Sequence, residues 1–152
     1  AAIRDEPCLI ADDRELKRGG PSYSIDTLLQ FRDELDAVAP LCLLVGADAF
    51  EGLADWHRPL DILGLAHLVV MQRPGAPTAR DPWLREQVEQ RRTDDPAALR
   101  LQAGGLIYFQ TVTQLDISAT RIRRLLAQGE SPRFLLPDAV LAMVRANSCY
   151  AV

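Results

Sequence analysis

Short apolar runs that alternate with amphipathic stretches are the feature that most constrains the fold of this chain. Four runs of strand length occur, at residues 8–11, 41–45, 67–72 and 106–111. A continuous apolar run is typical of a strand that is covered on both faces, as in a parallel sheet. Helical stretches separate these runs, so the pattern predicts an α/β fold, with a parallel sheet and helices on both faces.

The expected helices lie between and after these strands. They cover residues 25–38, 47–50, 60–65, 83–92, 118–128, 132–136 and 138–146, with a turn near 97–101. Parallel α/β sheets bind ligands beyond the carboxyl ends of their strands. The candidate positions are therefore residues 46–48, residues 73–74 and the stretch that leads into Ser118.

Length and composition set further bounds. A chain of 152 residues suits a single domain, which we assign to residues 1–152. A net charge of −4, from 17 basic and 21 acidic residues, disfavours a general nucleic-acid binder. The apolar runs are far too short to cross a membrane. The sequence starts without methionine, a signal peptide or a helix cap, which indicates a truncated chain.

The three cysteines, Cys8, Cys42 and Cys149, are odd in number, and no pair has the spacing of metal ligands. This usage disfavours a disulfide framework or a zinc site and favours a reducing cytoplasm. Cys42 falls in an apolar run and is expected to be a small core residue. The sequence predicts no metal ligands.

A helix start at residues 117–124 combines two hydroxyl residues with three arginines. Cations near a helix amino terminus oppose the helix dipole, and a bound polyphosphate would remove that conflict. The free N–H groups, hydroxyls and guanidinium groups of this segment are thus candidate ligands of an anion. The alternative is an ordinary capped helix with a solvated basic face.

A second group of candidates follows the predicted strand at 41–45. Gly46 would let a ligand approach the backbone, and Asp48 could accept hydrogen bonds from a ribose, unless Asp48 merely caps the next helix. Trp56 lies in a polar loop, where it is either a stacking platform or a ring that folds back onto the core. His57 has no partner at catalytic spacing, so a nucleophilic triad is not predicted. His67, at the start of a strand, is expected to be structural.

These segments together, and in this order, resemble bacterial nicotinate-nucleotide adenylyltransferases. The matching segments are Pro-Ser-Tyr-Ser at 21–24, Gly-Ala-Asp at 46–48, Trp-His-Arg at 56–58, Arg-Pro-Gly at 73–75, Ile-Ser-Ala-Thr-Arg-Ile-Arg at 117–123 and Leu-Leu-Pro-Asp-Ala-Val at 135–140. The resemblance extends from about residue 9 to residue 150. Other nucleotidyltransferases share the segment at 117–123, whereas the Pro-Ser-Tyr and Trp-His segments select the pyridine-nucleotide branch.

The resemblance implies a Rossmann-like nucleotidyltransferase fold and the transfer of adenylate from ATP to nicotinic acid mononucleotide, with Mg²⁺ on the phosphates. The mononucleotide phosphate attacks directly, without a covalent intermediate. Trp56 would stack on the pyridine ring, and backbone groups near Tyr23, Ser24 and His57 would hold its carboxylate. Asp48 would contact a ribose. The implied ATP-binding residues are Gly46, Ser118 and Arg123.

The family's amino-terminal Gly-Gly-x-Phe-Asp-Pro-x-His-x-Gly-His motif has no counterpart in residues 1–152. No catalytic residue is therefore identified, and the chain as given is expected to be inactive and to expose apolar strand edges. The alternatives are an inactive nucleotide-binding fragment, or a related adenylyltransferase for another acceptor such as phosphopantetheine.

Overall fold

The computed structural model describes residues 1–74, 79–113, 115, 117–147 and 149–150. The chain divides into two compact units. Residues Asp13–Thr113 form the first, here called the sheet unit. Ala1–Asp12 and Gln114–Val152 form the second, here called the helical unit. The single domain expected from the chain length stays a prediction.

Helices and parallel strands alternate in the sheet unit, as the apolar runs predicted. Its elements are α1 (Arg14–Lys17), α2 (Ser24–Glu34), β1 (Cys42–Gly46), α3 (Ala47–Glu51), α4 (Pro59–Leu65), β2 (His67–Gln72), α5 (Pro82–Arg91), β3 (Arg92–Thr93) and β4 (Ile107–Thr111). Short 3₁₀ helices occupy Leu53–Asp55 and Pro96–Arg100. The helical unit contains α6 (Ala119–Ala127) and α7 (Asp138–Ala146).

The four described strands form one parallel sheet in the order β1-β2-β4-β3. Leu43, Leu68 and Ile107 align across β1, β2 and β4 and therefore project from the same face. Leu68 and Ile107 are fully buried, and they pack in a core that includes Ile25 of α2 and Leu63 of α4. The predicted α/β fold with a parallel sheet and flanking helices is confirmed.

Two polar side chains join the loops of this unit. The guanidinium of Arg32 on α2 donates hydrogen bonds to the carbonyls of Leu65, Ala39 and Ala103, at 2.6–2.8 Å. His67 is fully buried. Its Nδ1 accepts a hydrogen bond from the backbone of Leu106 at 3.1 Å, and its Nε2 lies 2.9 Å from the carbonyl of Gln102. The structural role expected for His67 is confirmed.

Three expectations from the sequence are wrong. Residues 8–11 form no strand, and Ile10 is 90% exposed, because a short apolar run becomes a strand only when another strand pairs with it. Residues 132–136 form turns instead of a helix, since Phe134 adopts a left-handed φ of 69°. Cys42 is exposed on the edge strand β1 and is not a core residue.

Candidate functional site

The amino terminus of α2 presents the backbone N–H groups of Ser24 and Ile25, which have no acceptor among the described residues, whereas the N–H of Asp26 donates to the carbonyl of Tyr23 at 3.1 Å. Tyr23 is the extended N-cap residue, and no side chain caps the helix. The N–H groups of a first helical turn have no partners inside the helix, so this end can receive an anion. The fully buried Ile25 fixes the turn to the core. The residues predicted near a carboxylate therefore lie at a firmly anchored helix start.

Trp56, His57 and Arg58 connect the 3₁₀ helix Leu53–Asp55 to α4. Trp56 is half-buried and packs against the hydrophobic core, whereas His57 is exposed. Arg58 has a left-handed φ of 56°, and its Nε donates to Oδ2 of Asp61 at 2.6 Å. Part of the Trp56 side chain therefore packs on the core, as the alternative expected. The stacking role of Trp56 stays a prediction.

The side chains of Tyr23 and His57 bring these two segments together. Their ring centroids lie 4.5 Å apart, with an angle of 32° between the ring planes. Among the described residues, the backbone N–H of His57 has no backbone acceptor. Two chain segments that offer unused backbone donors are thus joined by a ring contact.

Gly46 and Asp48 lie at the carboxyl end of β1. Gly46 is in register with Met71 of β2, which is in turn in register with Gln110 of β4, so the three residues mark one edge of the sheet. A Cβ on Gly46 would meet no atom within 4 Å, which leaves its backbone accessible. Asp48 is exposed in the first turn of α3, and no side chain caps that helix. The alternative in which Asp48 caps the helix is wrong, and its contact with a ribose stays a prediction.

Ser118 is the N-cap residue of α6 in the helical unit, and Arg123 lies on that helix. Oγ of Ser118 accepts a hydrogen bond from the backbone of Arg121 at 3.2 Å and so caps the helix. Arg123 is exposed, donates to Oγ1 of Thr120 at 3.4 Å, and has its guanidinium 6.0 Å from the ring centroid of Tyr150. The first turn contains no acidic residue. The helix cap explains the observed contact of Ser118 without a bound phosphate. The phosphate site stays a prediction.

One feature of the sheet unit was not predicted from the sequence. An open surface pocket of about 540 Å³ is lined by the Arg58–Asp61 ion pair and by apolar side chains that include Leu60 and Trp83. Trp83 comes from α5, far from the other lining residues in sequence. No local spacing signals a pocket that elements so distant in sequence form together.

The described residues contain no group of three or more His, Cys, Asp or Glu side chains placed to hold a metal ion. No helix in this described part of the chain is long and apolar enough to span a bilayer.

Comparison with known proteins adds a family match and close relatives. The model of the family described as cytidylyltransferase-like matches residues 1–125. A probable nicotinate-nucleotide adenylyltransferase of Methylococcus capsulatus is 50% identical, over 92% of this chain and 66% of that protein. Proteins of the same name from Pseudomonas fluorescens and Halorhodospira halophila are 51% and 49% identical, over 93% and 91% of this chain. The chain spans 66% and 63% of those two relatives, so it covers slightly less than two thirds of each of the three.

Proposed function

The chain belongs to the cytidylyltransferase-like family, and we propose that it is the part of a nicotinate-nucleotide adenylyltransferase that binds the pyridine nucleotide and part of ATP. The reaction joins adenylate from ATP to nicotinic acid mononucleotide and releases pyrophosphate, a step of NAD biosynthesis. The relatives of that name, at 49–51% identity over more than nine tenths of this chain, support the assignment. The proposed substrates are ATP and nicotinic acid mononucleotide.

The observation that carries the choice of an acidic pyridine is the paired set of backbone donors. The first turn of α2 and the N–H of His57 are joined through the 4.5 Å ring contact. A carboxylate accepts hydrogen bonds from such donors, and a charged acceptor strengthens them. An amide offers a single neutral acceptor and places an NH₂ group against donors. In this proposal Trp56 stacks on the pyridine ring and Asp48 binds a ribose hydroxyl.

The chain's own residues position and neutralise charge in the proposed reaction. Arg123 and the hydroxyl of Ser118 hold phosphate oxygens of ATP, and the open backbone at Gly46 admits the nucleotide. Direct attack by the mononucleotide phosphate requires no nucleophilic side chain, and positioning with charge stabilisation supplies the rate enhancement. Mg²⁺ is proposed to arrive on the ATP phosphates, as is usual for this ion.

Two further proposals concern the setting of the protein. We propose a cytoplasmic location, which the three free cysteines support. We also propose that residues 1–152 alone have no useful activity, because no catalytic residue is identified in them. A nucleic-acid ligand is not proposed, in keeping with the net charge of −4.

The test is pyrophosphate release by the longest natural reading frame that contains this chain. ATP is supplied with nicotinic acid mononucleotide, with its amide, or with phosphopantetheine. We expect the acid to be preferred over the amide by about ten- to a hundredfold in kcat/KM, the scale of one hydrogen bond to a charged group. Preference for phosphopantetheine would identify a different adenylyltransferase. Nucleotide binding without turnover of any acceptor would favour a nucleotide-binding protein.

The proposal for residues 1–152 uses the same assay. The 152-residue chain is compared with the longer reading frame at equal concentration, and we expect a rate lower by at least about a hundredfold, the effect of losing one charge-stabilising donor in other enzymes. Equal rates would show that the catalytic groups lie within residues 1–152.

A further inference from the structure

The contact between Tyr23 and His57 is not explained by core packing or by helix capping. Tyr23 is 44% exposed and His57 is exposed, so neither ring is buried. The side chain of Tyr23 does not cap α2, although Tyr23 is the N-cap residue. The rings nevertheless meet at 4.5 Å across two segments that are distant in sequence. The contact therefore joins the start of α2 to the segment around His57 without burying either ring.

The backbone around His57 includes a left-handed residue and is restrained on both sides. Arg58 follows it with a left-handed φ of 56°, a conformation that a non-glycine residue keeps only when its surroundings enforce it. The 2.6 Å ion pair with Asp61 restrains Arg58 from the side of α4. The packing of Trp56 on the core restrains the loop before His57. The ring of Tyr23 contacts that of His57 itself, between those two anchors.

We infer that the Tyr23–His57 ring contact sets the spacing between the amino terminus of α2 and residues 56–58, and that this spacing determines selectivity for the acid over the amide. The inference rests on the proposed function and adds a side-chain role to segments proposed there to act through their backbone. Hydrogen-bond strength falls quickly outside a narrow range of distance and angle. Two donor segments can both hydrogen-bond to one carboxylate only when the distance between the segments is fixed.

The kinetic test uses a double-mutant cycle in the longest natural reading frame. Tyr23→Ala and His57→Ala should each raise KM for nicotinic acid mononucleotide about two- to tenfold, the range measured for aromatic pairs. KM for ATP should stay constant and kcat should change less than KM. The preference for the acid over the amide should fall by a similar factor. The double variant should be no worse than either single variant, because one contact is lost in all three.

Conservative variants separate a ring contact from other roles. Tyr23→Phe and His57→Tyr keep two rings and should retain the KM and the selectivity of the unaltered protein. Phe134→Ala removes a ring that is 86% exposed in the helical unit and serves as the control, with no change expected. Additive losses in the double variant, or an equal loss in Tyr23→Phe and Tyr23→Ala, would overturn the inference.

A second readout separates failure of this inference from failure of the proposed function. If the unaltered protein does not use nicotinic acid mononucleotide, the proposed function and the selectivity role fall together. The positioning role is then measured without substrate, by acrylamide quenching of Trp56 fluorescence in a Trp83→Phe background. Each alanine variant should increase the quenching to the same extent, and the aromatic variants should restore it. Unchanged quenching in both alanine variants would contradict the positioning role.

Discussion

In the sheet unit the candidate pyridine-side residues lie in a loop and in first helical turns, beside a buried core that includes Ile25 and Ile107. In the helical unit the candidate phosphate groups stand on an exposed helix, and burial among the described residues is confined to Pro132 and Leu141. Recognition of a flat ring needs fixed distances, which a packed core provides. Recognition of a phosphate relies on charge, which an exposed arginine supplies. Substitutions in the sheet unit should therefore disturb packing and ring recognition, whereas substitutions in the helical unit should mainly disturb phosphate recognition.

The largest effect is expected from removing a core side chain of the sheet unit. Leu63 is fully buried, and Leu63→Ala should lower the free energy of unfolding by about 3–5 kcal/mol, because the dense core cannot collapse into the cavity. Leu141→Ala in the helical unit should lower it by about 2 kcal/mol, since the exposed neighbours of Leu141 can relax into the space. Urea unfolding followed by circular dichroism measures both values. Equal losses would show that the two units are equally well packed.

The second prediction concerns Arg32, which joins the last residue of α4 to two loops of the sheet unit. Arg32→Met leaves the carbonyls of Ala39, Leu65 and Ala103 without their charged donor, and should lower the free energy of unfolding by about 2–4 kcal/mol. Lys17→Met removes an exposed cation paired with Asp13 at 2.7 Å and should change it by less than about 1 kcal/mol. Urea unfolding of both variants is the measurement. A small loss for Arg32→Met would mean that water replaces the guanidinium.

These two units also differ in how much of them the sequence could predict. The strand at residues 67–72 was predicted with its observed bounds, because a covered central strand leaves a continuous apolar run in the sequence. Residues 8–11 have a similar run but form no strand. Pairing is a contact between distant segments, which a local run does not encode. The turns at 132–136 depend on the backbone angle of Phe134, which hydrophobic periodicity does not reveal.

For the candidate site, the residues came from motif resemblance and their contacts came from the structure. Spacing alone could name Trp56 and Asp48 as candidates beside ordinary alternatives, and it could not place the ring of Tyr23 on that of His57. The hydrogen bonds of Arg32 could not be predicted either, because its three acceptors are backbone carbonyls at the end of α4 and in two separate loops. The geometry of the candidate site therefore depends on contacts between residues that are distant in sequence, which motifs do not specify.

The third prediction tests charge recognition in the helical unit. Arg123→Ala should weaken ATP binding by about 1.5–3 kcal/mol, the scale of a hydrogen bond to a charged group. Its contacts with Thr120 and Tyr150 are long and exposed, so the unliganded stability should change by less than about 0.5 kcal/mol. Arg124→Ala is the matched control on the same helix. Calorimetric titration with ATP measures the affinities, and equal losses for both arginines would indicate a diffuse charge effect.

The fourth prediction tests ring recognition in the sheet unit. Trp56→Ala should weaken binding of nicotinic acid mononucleotide by about 1–3 kcal/mol and leave ATP binding nearly unchanged. Because Trp56 also packs on the core, the same variant should be less stable to urea. Trp56→Phe keeps a flat ring and should retain more of both properties. Titration with each substrate is the measurement, and equal losses for the two substrates would assign Trp56 a structural role only.

The smallest effect is expected at Cys42, on the exposed side of β1. Cys42→Ser should change the free energy of unfolding at pH 7 by less than about 0.5 kcal/mol, because surface substitutions rarely do more. Desolvation by neighbouring atoms raises the pKa of the Cys42 thiol above its ordinary value. The unfolded chain therefore releases this proton at a lower pH than the folded chain. Stability that depends on the neutral thiol is present below the unfolded pKa and is lost as the pH rises through the folded pKa. The original chain should consequently lose slightly more stability than Cys42→Ser between pH 7 and about pH 10, while the other titrating groups cancel in the difference. Urea unfolding of both proteins at the two pH values measures that difference, and an identical loss would show that the thiol at this strand edge is as well solvated as in the unfolded chain.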